Sequence, residues 1–313
     1  MEIGAKIFVA GHRGMVGSAI VRRLQAEGAS NLVLRSRQEL DLTRQAEVEA
    51  FFALERPEYV FLAAAKVGGI HANRTYPAEF IRENLAIQSH VIHNAYATGC
   101  RKLLFLGSSC IYPRDCAQPI KEEYLLTGPL EKTNEAYAVA KIAGIQMCQA
   151  YRKQYGFDAI CAMPTNLYGP GDNFDLETSH VLPALIRKIY DAKQAGAETV
   201  EIWGTGNPLR EFLHVDDLAD AAVFLINRYT HPEIVNVGTG SDLTIRQLAE
   251  CIADIIGYSG TLVFNPGKPD GTPRKLLDNS RIQSLGWQPR IALGQGIAST
   301  LDWYAQHARV AES

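Results

Sequence analysis

Tyr137 and Lys141, in the stretch NEAYAVAKIAG, are four positions apart, which puts both side chains on one face of a helix about one turn from each other. A phenol with its ordinary pKa near ~10 exchanges protons poorly at neutral pH, and a lysine one turn away supplies the positive charge that lowers it. Upstream, GSSCIYP at 107–113 closes an apolar run and sets Ser108, Ser109 and Cys110 side by side. On the residues alone this is either a capped strand end with a buried cysteine or a reactive cluster. At the front of the chain, Gly11, Gly14 and Gly17 follow the apolar run KIFVA and open a helical pattern. In that context backbone N–H groups and a helix N-terminus can approach a pyrophosphate.

An NAD site places an Asp or Glu at the end of the second strand, where it accepts hydrogen bonds from the ribose 2′-OH. Here the corresponding stretch, LVLRSRQEL, offers Arg35, Ser36 and Arg37, and Arg13 sits inside the glycine loop. Guanidinium groups pair with a 2′-phosphate where a carboxylate would repel it, so NADPH is the expected cofactor. Arg37 is the expected partner of the 2′-phosphate, and Arg35 also reads as a surface arginine. Asp41 and Leu42 are expected at the third helix, near the adenine.

These residues need a frame, and the first half of the chain repeats one unit. KIFVA, NLVLRS, YVFLAAA, KLLFLGSS and DAICAMP are short apolar runs separated by helical patterns, the longest over about 78–98 and 135–156. That alternation predicts an α/β fold, a Rossmann-type doubly wound parallel sheet with helices on both faces. The sheet is expected to be essentially complete by residue 170. Residues 1–170 are then a dinucleotide-binding domain, and 171–313 a smaller C-terminal α/β substrate-binding lobe interleaved with it. The lobe contains a helix through LPALIRKIYDAKQ, a strand at VEIWG, and amphipathic helices over about 244–257 and 294–308.

Charged residues make up 21% and hydrophobic residues 47% of the 313, with a net charge of −3, so there is no basic footprint for nucleic acid. A small molecule is the expected partner. The six cysteines form no CxxC pair and the histidines show no ligand spacing, which predicts no metal, no disulfides and a reducing, cytoplasmic setting. No apolar stretch reaches membrane length, and the N-terminus reads as neither signal peptide nor anchor.

The motifs GHRGMVG (11–17), AAAKVGG (63–69), GSSCIYP, YAVAK (137–141), PTNLYGP (164–170) and REFLHVDD (210–217) are similar to those of the extended short-chain dehydrogenase/reductase family. The chain resembles that family over almost its whole length. Within it, GSSCIYP, PTNLYGP, SHVLPALIRK (179–188) and KPDGTPRK (268–275) resemble the branch that epimerises C3 and C5 of a GDP-linked 4-keto-6-deoxymannose and then reduces C4 with NADPH.

The resemblance implies roles for named residues. Ser108 and Tyr137 hydrogen-bond the C4 carbonyl, Lys141 holds the ribose, and Cys110 and His180 are the acid–base pair of epimerisation. It extends the cofactor site to His12, Met15 and Val16 in the glycine loop, to Leu106, Gly107 and Ser109, to Pro164, Thr165, Asn166 and Leu167, and to His180. Lys188, Trp203, Arg210 and Asp270 match the GDP-sugar positions, with Arg274 and Lys275 as further phosphate contacts. By its residue type alone Trp203 reads equally well as a core aromatic. Arg210 is expected on a loop. Sugar-nucleotide dehydratases carry an Asp-Glu pair where Cys110 and Ile111 stand here, so elimination lacks its acid and base. The family also implies a homodimer built on the two long helices.

Overall fold

The structure, a computed structural model, describes residues 1–2, 4–268 and 270–311. Its first half runs β1 (Ile7–Ala10), α1 (Met15–Ala26), β2 (Leu32–Val33), α2 (Gln45–Glu55), β3 (Tyr59–Leu62), α3 (Ile70–Thr75), α4 (Pro77–Ala97), β4 (Lys102–Leu106), α5 (Glu135–Tyr155) and β5 (Ala159–Pro164). The middle adds β6 (Asn166–Tyr168), α6 (Val181–Gln194), β7 (Thr199–Trp203), β8 (Leu209–Arg210), β9 (Phe212–His214), α7 (Val215–Arg228) and β10 (Val235–Val237). The chain ends with β11 (Leu243–Thr244), α8 (Ile245–Ile256), β12 (Thr261–Asn265), β13 (Arg274–Lys275), α9 (Ser280–Ser284) and α10 (Leu293–Ala311).

The main sheet is six-stranded, in the order β10-β5-β4-β3-β1-β2, and every pairing in it is parallel. Parallel strands are covered on both faces, so their residues are apolar without a break and split alternately between two cores. Phe8, Val60, Leu62, Leu103 and Phe105 meet α2, α4 and α5, while Ile7, Val9, Phe61 and Leu104 meet α1 and α7. A third core joins α6, α8 and α10 in the smaller lobe.

Three expectations need correction. The sheet is not complete at residue 170: its edge strand β10 pairs with β5, and α7 covers one face, so two elements of the large layer come from the second half. The second strand is only two residues long, because the chain turns after Val33 and the N–H groups of Glu39 and Leu40 donate back to the Ser36 carbonyl. Asp41 and Leu42 therefore precede α2, the second helix and not the third.

Candidate active site

A cleft of about 650 Å³ opens at the carboxyl ends of the parallel strands, between the turns after β1 and β3. That is where chain direction around the sheet reverses and where ligands of such sheets bind. Gly14, Met15, Val16 and Gly17 line it at the N-terminus of α1, whose N-cap residue Gly14 makes no side-chain cap. The three glycines have different reasons to be glycine. Gly11 has φ +85° and a Cβ there would stand 2.8 Å from the Ala64 backbone; at Gly17 it would stand 2.1 Å from the Gly11 carbonyl. Gly14 meets only the Gly11 carbonyl, at 3.5 Å, so its surface is free for a ligand's approach. His12 and Arg13 are not part of the cleft wall.

At the far end the wall includes Arg35, Arg37, Asp41 and Leu42. Arg35 is held by Glu55 at 2.5 Å, and Arg37, largely exposed, reaches Glu83 of α4 at 3.4 Å. Thr43 donates to Asp41 through its N–H and its hydroxyl, which holds that carboxyl below its ordinary range despite burial. Both arginines thus present cations to one end of the cleft, and the unpaired guanidinium edge of Arg37 remains in solvent.

At the near end, Leu106, Gly107, Ser108, Ser109, Tyr137 and Lys141 share the wall with Pro164–Leu167. Lys141 Nζ donates to the Leu106 carbonyl at 2.8 Å and stands 5.8 Å from the Tyr137 ring centre. Burial pushes the Lys141 amine down to about 8. Burial also raises the Tyr137 phenol, reinforced by Cys110 and opposed by a hydrogen bond with Ser108. The expected lowering of the phenol by Lys141 is therefore outweighed in this arrangement by desolvation.

Cys110 lies one layer behind. It sits in a 3₁₀ turn, Ser109–Ile111, capped by Ser108, whose hydroxyl accepts from the Cys110 N–H at 3.3 Å. Its side chain is buried, and burial raises the thiol while Lys275, Ser108 and Lys141 work against that. The capped turn of GSSCIYP is present, and the buried cysteine in it lies near the Tyr137–Lys141 pair. His180 also lines the cleft, as the N-cap residue of α6, its imidazole lowered by its burial there and by Lys275.

A second group stands apart from this wall. Trp203 at the end of β7 is 53% exposed and flanked by Lys188 and Lys268, 4.9 and 5.0 Å from its ring centre, so it is no core aromatic. Arg210 is not on a loop. It ends β8, paired with Lys275 of β13, and donates to the Leu209 carbonyl at 2.8 Å. Asp270 accepts from Thr205 N–H and hydroxyl at 2.7 and 2.8 Å. Arg274 pairs with Asp242 at 2.6 Å and is not part of the cleft wall, whereas Lys275 lines the cleft. Of KPDGTPRK, Pro269 lies outside the described residues. Among the described residues no cluster of His, Cys, Asp and Glu could hold a metal ion.

The NAD dependent epimerase/dehydratase family model matches residues 7–238. GDP-L-fucose synthase 1 of Arabidopsis thaliana is 64% identical over 97% of this chain and 94% of its own length. The GDP-L-fucose synthase of Escherichia coli is 54% identical over 96% of this chain and 97% of its own. A solved GDP-mannoheptose C4 reductase of Campylobacter jejuni with NADP bound superposes with a TM-score of 0.90 at 43% identity, covering 97% of this chain and 99% of that one.

The chain belongs to the NAD dependent epimerase/dehydratase family.

In this family member the structure also brings in residues that the sequence did not single out. Asp172 lines the cleft with one carboxylate oxygen buried and unpartnered, and burial raises its carboxyl to about 7. Lys66 and Glu83 line it too, ion-paired at 3.1 Å. Asp172 follows PTNLYGP after one glycine, and Lys66 sits within AAAKVGG, so position beside or within a motif was their only signal.

Proposed function

We propose that this epimerase/dehydratase converts GDP-4-dehydro-6-deoxy-D-mannose to GDP-L-fucose, by epimerisation at C3 and C5 and NADPH-dependent reduction at C4. The observation that carries the reading is that Ser108, Tyr137, Lys141 and His180 line one cleft with Cys110 behind Ser108, in a chain similar almost end to end to GDP-L-fucose synthases.

The residues present fit the cofactor. The α1 N-terminus with its open Gly14 would receive the pyrophosphate, and Arg35 and Arg37 at the far end of the cleft would hold the 2′-phosphate. NADPH, when bound, supplies the hydride delivered to C4. Tyr137 gives the proton to the C4 oxygen, with Lys141 as the nearby cation and Ser108 orienting the carbonyl. The C4 ketone acidifies the hydrogens at C3 and C5. Cys110 removes a proton from one face and His180 returns one on the other, a division suited to two groups carried by different elements. In the second lobe Lys188, Arg210, Trp203 and Asp270 hold the GDP moiety.

Several features support a homodimer built on α4 and α5. The two helices pack on each other, and Val139 is left exposed with Leu85 and Ala143 half-buried. Six free cysteines support a cytoplasmic location. No helix among the described residues is long and apolar enough to cross a membrane.

One assay tests the function: NADPH oxidation with a panel of nucleotide-linked 4-keto sugars, and products identified by NMR. GDP-L-fucose from the GDP-4-dehydro-6-deoxymannose is the expected product. The likeness to a C4 reductase favours a second reading, reduction without epimerisation, and it would appear in the same assay as an unepimerised 6-deoxy sugar.

A further inference from the structure

The segment AAAKVGG ends in two glycines that the chemistry above leaves without a task, and the structure shows what one of them touches. Gly69 has φ −66°, a value open to any residue, so backbone strain does not explain it. Proximity does. Its N–H donates to the Thr178 carbonyl at 2.8 Å, and a Cβ built on it would stand 2.5 Å from the Ser179 carbonyl oxygen and 3.2 Å from that of Thr178. The next residue is His180.

The loop before His180 is organised by its own side chains. Asp175 accepts from the Thr178 N–H at 2.9 Å and the Thr178 hydroxyl at 2.8 Å, and Asn173 donates to the same hydroxyl at 2.9 Å. These bonds steady the Thr178 backbone within the loop. How close that backbone comes to α3 is set where Gly69 meets it. Ile70, which follows, reaches toward Gly271, 3.9 Å from where a Cβ would stand there, so the start of α3 spans the loop bearing His180 and the loop bearing Asp270.

We propose that Gly69 is a positioning residue for epimerisation: its missing side chain and its N–H together seat the Thr178–Ser179 backbone so that His180 faces the wall carrying Ser108 and Cys110. The inference rests on the proposed role of His180. A methyl at position 69 has to push the Ser179 carbonyl back by roughly an ångström, and a misplacement of that size costs a proton-transfer step about 10²-fold. Tyr137, Ser108 and Lys141 belong to other elements, so hydride and proton delivery at C4 keep their geometry.

The test reads a ratio inside one reaction, epimerised over unepimerised 6-deoxy product per NADPH consumed, for wild type, Gly69→Ala, Thr178→Val and His180→Asn. A loss of stability alone lowers total turnover and leaves the ratio where it was. Gly69→Ala should lower the ratio about ten- to hundredfold. Thr178→Val approaches from the loop, where folding is not at risk; it removes the two hydroxyl bonds that steady Thr178, the residue whose carbonyl accepts from Gly69, and should shift the ratio the same way by about three- to tenfold. If His180→Asn shifts the ratio while Gly69→Ala and Thr178→Val both keep the wild-type value, the positioning role is overturned. If His180→Asn itself leaves the ratio unchanged, the acid–base role of His180 fails, and the role of Gly69 falls with it.

Discussion

At the scale of single residues, the cluster around Tyr137 is governed by desolvation, and this decides how each group responds to change. Lys141 is the clearest case. Its amine is pushed down to about 8 by burial, from an ordinary value above 10. The charged form is the one that assists proton delivery, so its contribution is complete below that value and is lost as pH rises through it. The kcat/KM for NADPH oxidation should therefore fall above about pH 8, and Lys141→Arg, which stays charged, should lose that limb even if it is slower. A flat profile from about pH 7 to about pH 10 would remove Lys141 from the titrating step. Cys110 is the complementary case. Its thiol is raised by burial yet faces Lys275 and Lys141, two cations able to stabilise a thiolate as it forms. Cys110→Ser keeps approximate size and removes most of the acidity, so solvent deuterium should enter C3 and C5 about a hundredfold more slowly. NADPH that is still consumed should appear in an unepimerised sugar. Wild-type exchange in this variant would leave Cys110 as a turn residue capped by Ser108 and nothing more.

At the scale of elements, the helices were legible because amphipathic patterns of 3.6-residue period survive whatever packs on them. The expected spans over about 78–98 and 135–156 are α4, Pro77–Ala97, and α5, Glu135–Tyr155. Short strands and turns were less legible, because their boundaries depend on contacts distant in sequence. LVLRS reads as a strand, yet β2 stops at Val33, where the Ser36 carbonyl begins to accept from Glu39 and Leu40. Arg210 read as a loop residue because a two-residue strand carries no periodicity; what makes it one is pairing with β11 and β13, remote in the chain. Within the site, Tyr137, Lys141 and the glycine turn could be picked out from spacing and from their place after apolar runs, while Ser108 took its role from the resemblance. Asp172 and Lys275 could not, since a lone carboxylate or amine acquires meaning only when folding buries it. The turn after β2 also makes a prediction. It presents Arg37 to the cleft, anchored by Glu83 at 3.4 Å but otherwise in solvent. Arg37→Asp replaces a partner of the 2′-phosphate with a repelling charge, and should weaken NADPH about ten- to hundredfold while changing NADH little. Fluorescence titration of both dinucleotides measures this. Equal losses for both would assign Arg37 to the fold and not to the phosphate.

At the scale of the whole molecule, the two halves of the chain do not correspond to two independent bodies. The apolar runs before residue 170 suggested a finished sheet, because five of its strands lie there and each reads as a buried strand. The sixth, β10, was obscured by lying beyond the helices of the other lobe, and α7, which covers the sheet beside α1, lies there as well. The energetic consequence can be judged from burial. Leu218, Val223, Leu225, Val235 and Val237 are all at most 1% exposed, and burying each such side chain is worth about 1.5–3 kcal/mol. Their sum is comparable to the entire net stability of a domain, about 5–15 kcal/mol. A fragment of residues 1–170 keeps every cofactor residue named from the sequence except His180, and still should not fold. It leaves one face of β1, β3, β4 and β5 partly uncovered and β5 as a bare apolar edge, the kind of surface that aggregates. Extending the fragment to residue 240 restores α7 and β10 and should recover part of the cooperative unfolding. The full chain should melt in one transition that NADPH raises, because residues from both halves line the cleft. Circular dichroism melts of the two fragments and the whole chain, with and without NADPH, decide the matter. A 1–170 fragment that melts cooperatively and binds NADPH would restore the boundary at residue 170, and would mean that α7 and β10 only dock on a layer already stable without them.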